Sequence, residues 1–394
     1  MAKAILTLNA GSSSLKFALF RASSKRGLKL LLRGEVEEIG SKPHFWARDP
    51  HGTALADEAW PEVAGDIDLL MLRFVGRVEG NLAADGLMVV GHRIVHGGSL
   101  YSRPERVTPD LIETLERLTP LAPLHEPRNV QFVRTIAALR PNLPQIACFD
   151  TAFHQTMPVV ATRFALPREY EADGVRRYGF HGLSYEYIAE HLARTAPHLA
   201  RGRVIVAHLG SGASLCAMRD GKSIDTTMGF SALDGLVMGT RPGTLDPGVI
   251  LFMLQQKGLA VGALEELLYR RSGLLGVSGG ISSDMRTLLA SSGKRAAEAV
   301  ALFAYRAGRE AGALASSLGG LDGLVFTAGI GEHAPPVRSA VCARLAWLGT
   351  TLDEDANARN APIINRPESR IEVRVIPTDE ESVIAQHALE MIHL

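Results

Sequence analysis

The residues best placed to do chemistry near the start of the chain are Asn9, Ser12, Ser14 and Lys16, within Asn9-Ala10-Gly11-Ser12-Ser13-Ser14-Leu15-Lys16. Small residues let successive backbone N–H groups close on an oxyanion, as in an anion-binding nest. The Ser12 and Ser14 hydroxyls add donors, Lys16 adds a positive charge, and the Asn9 carbonyl oxygen suits Mg²⁺ or its waters. The same stretch also reads as a plain hairpin with an exposed lysine. A second glycine-serine stretch, His208-Leu209-Gly210-Ser211-Gly212-Ala213-Ser214, lies near the middle of the chain. Other patterns fail on inspection. Gly221-Lys222-Ser223 ends like a Walker A loop, but Cys216 stands where its first glycine must be. Gly329-x-Gly331-x-x-Ala334 matches a dinucleotide fingerprint only as a short, common pattern. His92 and His96 share a strand face and read as structural, since no Cys/His set has zinc spacing.

These turns need strands to hold them. Ile5–Leu8 and Leu15–Phe20 read as strands flanking the first turn, and Val204–Ala207 and Leu215–Met218 flank the second. Allowing one inserted residue, Gly11-Ser12…Ser14-Leu15…Ala18 parallels Gly210-Ser211…Ser214-Leu215…Ala217, a weak repeat that implies two related halves. Thr108-Pro109 marks a helix start, and Ser184 precedes Tyr185, Ile188 and Leu192 at helical spacing. A long helix runs from about Arg295 to Leu318 and stops at Gly319-Gly320. Leu324–Thr327 reads as a buried strand running into Gly329-Ile330-Gly331. Val373–Ile376 is another, followed by a Thr378-Asp379-Glu380-Glu381 capping box that opens the last helix. Alternating strands and helices indicate an α/β fold. A chain of 394 residues exceeds one ordinary core, so two domains are expected, with no low-complexity linker between them.

Composition narrows the function. Lys+Arg and Asp+Glu both number 42, so the basic excess of a nucleic-acid binder is missing. No apolar run reaches the roughly 18 residues of a transmembrane helix. The apolar stretch Ala4–Leu8 stops at a polar loop, unlike a signal peptide. Three scattered cysteines, Cys148, Cys216 and Cys342, fit a reducing cytosol.

Taken together, the motifs resemble the acetate kinase family. Leu8-Asn9-Ala10-Gly11-Ser12-Ser13-Ser14-Leu15-Lys16-Phe17 is similar to its N-terminal signature. Gly91-His92-Arg93-Ile94-Val95-His96-Gly97-Gly98 resembles its substrate-arginine strand. Phe149-Asp150-Thr151-Ala152-Phe153-His154, Arg177-Tyr178-Gly179-Phe180-His181-Gly182, Met238-Gly239-Thr240-Arg241 and Asp284-Met285-Arg286 follow in order. Gly329-Ile330-Gly331-Glu332 and Pro377-Thr378-Asp379-Glu380-Glu381 complete a set that spans essentially the whole chain.

The resemblance implies two duplicated, ribonuclease H-like mixed-sheet lobes with ATP in an interlobe cleft, divided as residues 1–150 plus 381–394 and residues 151–380. It implies direct transfer of the γ-phosphoryl group of ATP to acetate. Arg93 would hold the acceptor carboxylate, and Arg241 and His181 would stabilise the planar phosphoryl group. Asp150 would orient Arg241 or a Mg²⁺ water rather than act as a base. Asn9 and Glu380 would anchor Mg²⁺, with Mn²⁺ the alternative ion. Ser12, Ser14, Lys16 and the loop His208, Leu209, Gly210, Ser211 and Gly212 would take phosphates. Asp284, Met285, Arg286 and Gly329, Ile330, Gly331, Glu332, His333 would bind adenosine. Val95, Leu124, Phe180 and Ala232 would line the acyl pocket. A cytoplasmic homodimer is implied, without nucleic-acid or membrane partners. The alternatives are a propionate or butyrate kinase of the same fold and, more remotely, a chaperone- or actin-like ATPase. Bland readings stand beside these: Arg93 as a salt-bridge partner, His181 as a core histidine, Asp379 and Glu380 as complements to a helix N-terminus, and Arg286 as a surface loop cap.

Several positions depart from the family pattern. Ser211 replaces a usual Asn, Glu126 a common Asn, and Leu183 and Tyr185 the usual Thr and His. Gly279-Gly280 carries one glycine more than usual. Ala232 stands where Pro is usual, which predicts a roomier acyl pocket.

Overall fold

Apolar runs that alternate little, such as Ile5–Leu8 and Val204–Ala207, belong in strands covered on both faces. The computed structural model, which describes residues 3–11, 14–22, 27–82, 86–123 and 125–393, places them so: every side chain from Ala4 to Ala10 is buried. The chain divides into two units, Met1–Ala152 with Asp379–Leu394, and Phe153–Thr378.

The first unit holds an 8-stranded sheet among its described residues. Its strands are β1 (Lys3–Ala10), β2 (Leu15–Ala22), β3 (Leu28–Glu37), β4 (His44–Arg48), β5 (Ala54–Ala59), β6 (Gly86–Ile94), β7 (Glu105–Arg106) and β8 (Gln145–Phe149). They lie in the order β5-β4-β3-β2-β1-β6-β8-β7. β1 runs antiparallel to β2 and parallel to β6, and β6 runs parallel to β8. One core packs Phe17, Phe45, Trp60 and Phe74 together, with the Phe45 and Trp60 rings stacked at 4.7 Å. A second core of Ile94, Leu115, Val133 and Phe149 lies under the helices Pro109–Leu118 and Glu126–Leu139. The C-terminal helix Glu380–His393 packs on β1, β6 and β8. It comes so close that a Cβ on Gly91 would lie 2.5 Å from Ile384.

The second unit holds a 5-stranded sheet ordered β11-β10-β9-β12-β13. Its strands are β9 (Arg203–Leu209), β10 (Ala213–Arg219), β11 (Lys222–Thr226), β12 (Gly323–Thr327) and β13 (Glu372–Val375). β9 is antiparallel to β10 and parallel to β12, and β12 is parallel to β13. Strands β3-β2-β1-β6-β8 of the first unit therefore repeat as β11-β10-β9-β12-β13, with the same order and the same directions. The two glycine-serine stretches join the equivalent hairpins β1–β2 and β9–β10. This is a duplicated mixed α/β architecture, as the internal repeat predicts. The strands β4, β5 and β7 are additions to the first copy.

The helical spacing after Ser184 belongs to a helix over Gly182–Thr195, entered from His181 in the left-handed region at φ 58°. One local reading needs correction. The Thr378 capping box does not form. Ser382 N–H donates to Asp379 Oδ1 at 3.2 Å, while Thr378 Oγ1 has no partner among the described residues. A charged acceptor one residue later complements the helix N-terminus better than the threonine hydroxyl. Gly329-Ile330-Gly331 follows its strand, as read from the sequence. It lies in the short helix Ala328–His333, entered through Ala328 at φ 64°. Among the described residues, no helix is long and apolar enough to cross a membrane.

Candidate active site

In the first unit, pairing in the sheet brings Arg93, near the end of β6, beside Asn9, near the end of β1. Asp150 follows β8 directly and accepts from Arg93 Nε at 3.0 Å and Nη2 at 2.5 Å. Arg93 Nη1 donates to Asn9 Oδ1 at 2.8 Å, and Asn9 Nδ2 donates to Glu380 Oε2 at 3.0 Å. Asp150 is fully buried, and its Oδ1 has no partner among the described residues. Burial works against the Arg93 charge, but Asp150 and Glu380 outweigh it and raise the guanidinium pKa. The guanidinium that Asp150 holds is thus Arg93. Burial, then the charge on Glu380, raises the Glu381 pKa; burial also raises that of Asp379, against the pull of Arg33. Lys16 is exposed on β2 and Ser14 is half-buried before it. Ser12 lies outside the described residues.

In the second unit, Gly212 marks where two donors meet. A Cβ there would lie 2.9 Å from Arg241 Nη2 and 3.2 Å from His181 Nε2, so only glycine leaves that space open. Arg241 Nη1 donates to the Ala232 carbonyl at 2.7 Å. His181 Nδ1 lies 2.8 Å from Ser214 Oγ, which also hydrogen-bonds the Tyr185 hydroxyl. His208 Nδ1 lies 2.9 Å from Ser184 Oγ. The His181 and His208 rings stack with centroids 4.2 Å apart. In the loop after β9, Gly210 N–H donates to Gly212 O at 3.1 Å, and Gly239 N–H donates to Ser211 O at 2.9 Å. The structure therefore brings His181, His208, Gly210, Ser211, Gly212 and Arg241 together, with Leu209 buried at the end of β9.

Asp284 caps the helix Met285–Ala290 through Thr287 N–H at 3.0 Å, and that bond holds its carboxyl below the usual range. Met285 is buried, whereas Arg286 extends into solvent. Glu332 Oε1 accepts from Thr378 N–H at 3.3 Å, and His333 is exposed. Of the residues expected to line an acyl pocket, Val95, Phe180 and Ala232 are buried in their own units, and Leu124 lies outside the described residues. Val95 N–H donates to Asn129 Oδ1 at 3.1 Å. His92 is a core histidine bonded to Gln145 at 2.7 Å, and burial lowers its pKa to about 4.

Three supporting residues escaped the reading of the sequence. Arg338 is fully buried and donates to the Gly331 and Glu332 carbonyls at 2.8 and 2.9 Å, and to Asn357 and Asn360. His154 lies 2.9 Å from both Ser223 Oγ and the Phe180 carbonyl, next to His181. Gly179 turns beside it at φ 79°, where a Cβ would come within 2.6 Å of the His154 ring. Ser214 carries no signal of its own beyond its place in the repeat.

Comparison with known proteins bears on this arrangement. The acetokinase family model matches residues 4–386. An acetate kinase of Rhodopseudomonas palustris is 54% identical over 391 residues, covering 98% of each chain. One from Rhizobium meliloti is 47% identical over 389 residues, covering 99% of this chain and 98% of its own. Among solved structures, a propionate kinase from Francisella tularensis superposes with a TM-score of 0.89 at 36% identity, covering 98% of this chain and 99% of its own. An acetate kinase from Porphyromonas gingivalis gives 0.85 at 36% identity, covering 99% of this chain and 100% of its own.

Proposed function

The chain belongs to the acetokinase family, and from that premise we propose that it transfers the γ-phosphoryl group of ATP to acetate, reversibly, by direct in-line transfer. The observation that carries this reading is the meeting of Arg241 and His181 at Gly212, in the loop proposed to hold the phosphates. Acetate is ionised at neutral pH, so no base is needed to activate it. The obstacles are the repulsion of two anions and the charge on the transferring group, both answered by fixed cations and donors. Arg93 is the acceptor-carboxylate ligand, and its bonds to Asp150 and Asn9 fix its plane. Arg241 and His181 donate to the equatorial phosphoryl oxygens. Asp150 positions Arg93 and takes no proton.

His208–Gly212, Ser12, Ser14 and Lys16 hold phosphates, and Asp284–Arg286 and Gly329–His333 hold adenosine. Mg²⁺ keeps several waters and takes one or two carboxylates beside phosphate oxygens. Glu380 would hold the ion, and Asn9, whose Oδ1 already accepts from Arg93, would serve it through water. Burial raises the carboxyls of Asp379 and Glu381, and a cation beside Glu380 would offset that cost of burying their charge. Bound there, Mg²⁺ or Mn²⁺ would neutralise phosphate charge.

The partners are acetate, ATP and a second copy of the chain. The helix Pro247–Gln255 buries none of its residues and exposes Val249, Leu251 and Phe252, a face that a dimer would cover. A cytoplasmic location fits a chain whose three scattered cysteines are all buried.

The test is trapping of acyl phosphate with hydroxylamine after incubation with MgATP and acetate. The kinase reading predicts acetate-dependent hydroxamate matched by ADP. ADP release without hydroxamate would show an ATPase instead. A second reading, propionate kinase, is favoured by Ala232 in place of Pro. One methylene shifts discrimination by roughly 1–3 kcal/mol. The kcat/KM values for acetate, propionate and butyrate decide it, and a steep loss already at propionate defeats the roomier pocket.

A further inference from the structure

Tyr185 joins a helix to a strand of the second unit, and its neighbours give that link a consequence. Tyr185 is fully buried in the first turn of the helix Gly182–Thr195. Its hydroxyl bonds Ser214 Oγ, itself fully buried at the second residue of β10. Ser214 Oγ lies 2.8 Å from His181 Nδ1. Ser214 owns one proton and has two neighbours, so the direction of this chain fixes the histidine tautomer. If Ser214 donates to Tyr185, His181 must carry its proton on Nδ1. If Tyr185 donates to Ser214, the buried serine proton still needs an acceptor; Nδ1, 2.8 Å away, takes it, and the ring proton then sits on Nε2.

Two features select the second direction. A phenol is a far better proton donor than an aliphatic alcohol, so Tyr185 keeps the donor role toward Ser214. The adjacent Ser184 meets His208 in the same way, hydroxyl to Nδ1 at 2.9 Å. Both rings thus turn Nδ1 to a hydroxyl and Nε2 to the glycine loop: His181 Nε2 lies 3.2 Å from a Cβ built on Gly212, and His208 Nε2 lies 3.9 Å from one on Gly210. Their centroids are 4.2 Å apart, a spacing at which two imidazolium charges would repel strongly.

We propose that Tyr185, through Ser214, is a positioning residue that holds His181 as the neutral Nε2–H tautomer, aimed at the transferring phosphoryl group. The assignment rests on His181 acting as a phosphoryl donor. No proton leaves the relay during transfer: Tyr185 O–H points to Ser214, Ser214 O–H points to Nδ1, and Nε2–H strengthens its bond as charge builds on the phosphoryl oxygens.

The test pairs histidine nitrogen NMR with steady-state kinetics on the full chain, using Tyr185→Phe and Tyr185→His. Phenylalanine keeps the buried ring and removes only the hydroxyl. Histidine restores a donor. His181 resonances are identified by their loss in His181→Gln. The relay predicts a pyridine-like Nδ1 and a protonated Nε2 in the parent, and a tautomer mixture in Tyr185→Phe. It predicts a kcat lower by about tenfold in that variant, less than the 10²–10³ lost with a donor itself. KM for acetate stays within about twofold, and Tyr185→His recovers kcat to within about threefold. A parent proton on Nδ1 overturns the proposal. So does a kcat loss with an unchanged nitrogen spectrum, a changed spectrum with unchanged kcat, or no recovery in Tyr185→His. A parent that makes no acetyl phosphate defeats the kinase reading instead, while its nitrogen spectrum still judges the relay.

Discussion

The two halves share one five-strand core and solve opposite electrostatic problems on it. In the first, Arg93 is bound to the buried carboxylate of Asp150, with Glu380 one residue further through Asn9. Its charge is largely compensated before any ligand arrives. In the second, Arg241 is held by the neutral carbonyl of Ala232, and His181 by hydroxyls. Neutral tethers fix direction without spending charge. A carboxylate ligand needs a cation whose orientation is fixed and whose field is moderate. A phosphoryl group gathering negative charge needs donors at full strength. The two sets do not sit at equivalent places on the duplicated scaffold: Arg93 and Asp150 lie at the ends of β6 and β8, whereas Arg241 follows β11 and His181 opens a helix.

Removing Arg241 is the harshest way to break that contrast. Arg241→Ala is expected to lower kcat by about 10³–10⁵, the range for an arginine on a transferring phosphoryl group, with KM for acetate little changed. A loss confined to KM would place Arg241 in ground-state binding instead. Gly212→Ala pushes a methyl toward Arg241 Nη2 and His181 Nε2, and misplacement of this kind costs about 10²-fold in kcat. The fold should be unaffected, so the thermal midpoint of that variant stays at the parent value. Asp150→Asn strips the compensation from Arg93. It is expected to lower kcat/KM for acetate by about tenfold through KM, and to cost about 1–3 kcal/mol in chemical denaturation. An unchanged KM would show that Arg93 orientation does not depend on the carboxylate.

The smallest effect concerns Glu126, fully buried in the helix that supports Val95. Its carboxyl faces the His96 backbone N–H, with neither oxygen within hydrogen-bond reach of a described partner. Burial raises its pKa to about 8 from an ordinary 4.5, despite that N–H. The folded state then keeps a proton that the unfolded chain releases. Stability from this group is intact below pH 4.5 and is lost as pH rises toward about 8. Glu126→Gln is expected to widen its advantage in thermal midpoint across that window, by about 2–4 °C for each kcal/mol recovered. A constant offset at all pH values would mean that Glu126 does not titrate there.

Much of the duplicated core was legible because a glycine-serine turn between two apolar runs leaves few folds to choose from, and Gly11 and Gly210 mark equivalent hairpins. The N-cap at Thr108 was legible for the same local reason, and Leu111 N–H does reach its hydroxyl at 3.1 Å. The strands β4 and β5 were not, since His44–Arg48 and Ala54–Ala59 gain their order from pairing with β3 rather than from their own pattern. At the site, single residues were readable as charges but not as partners. That Asp150 holds Arg93 depends on β6 and β8 lying side by side, and no spacing in the chain reports it. Tyr185 was visible as an oddity, but its bond to Ser214 joins a helix to a strand 29 positions away. Arg338 went unread because burial of a guanidinium among carbonyls leaves no mark on local composition.

That last arginine has a consequence for how nucleotide comes and goes. Five donor hydrogens on one rigid plane tie the end of the short helix Ala328–His333 to the segment carrying Asn357 and Asn360. The turn is therefore stiff whether or not a base rests on it, and docking costs it little disorder. If adenosine docks there, as proposed, exchange of ADP for ATP would turn on contacts with the phosphates, which differ between the two, rather than on remaking the seat.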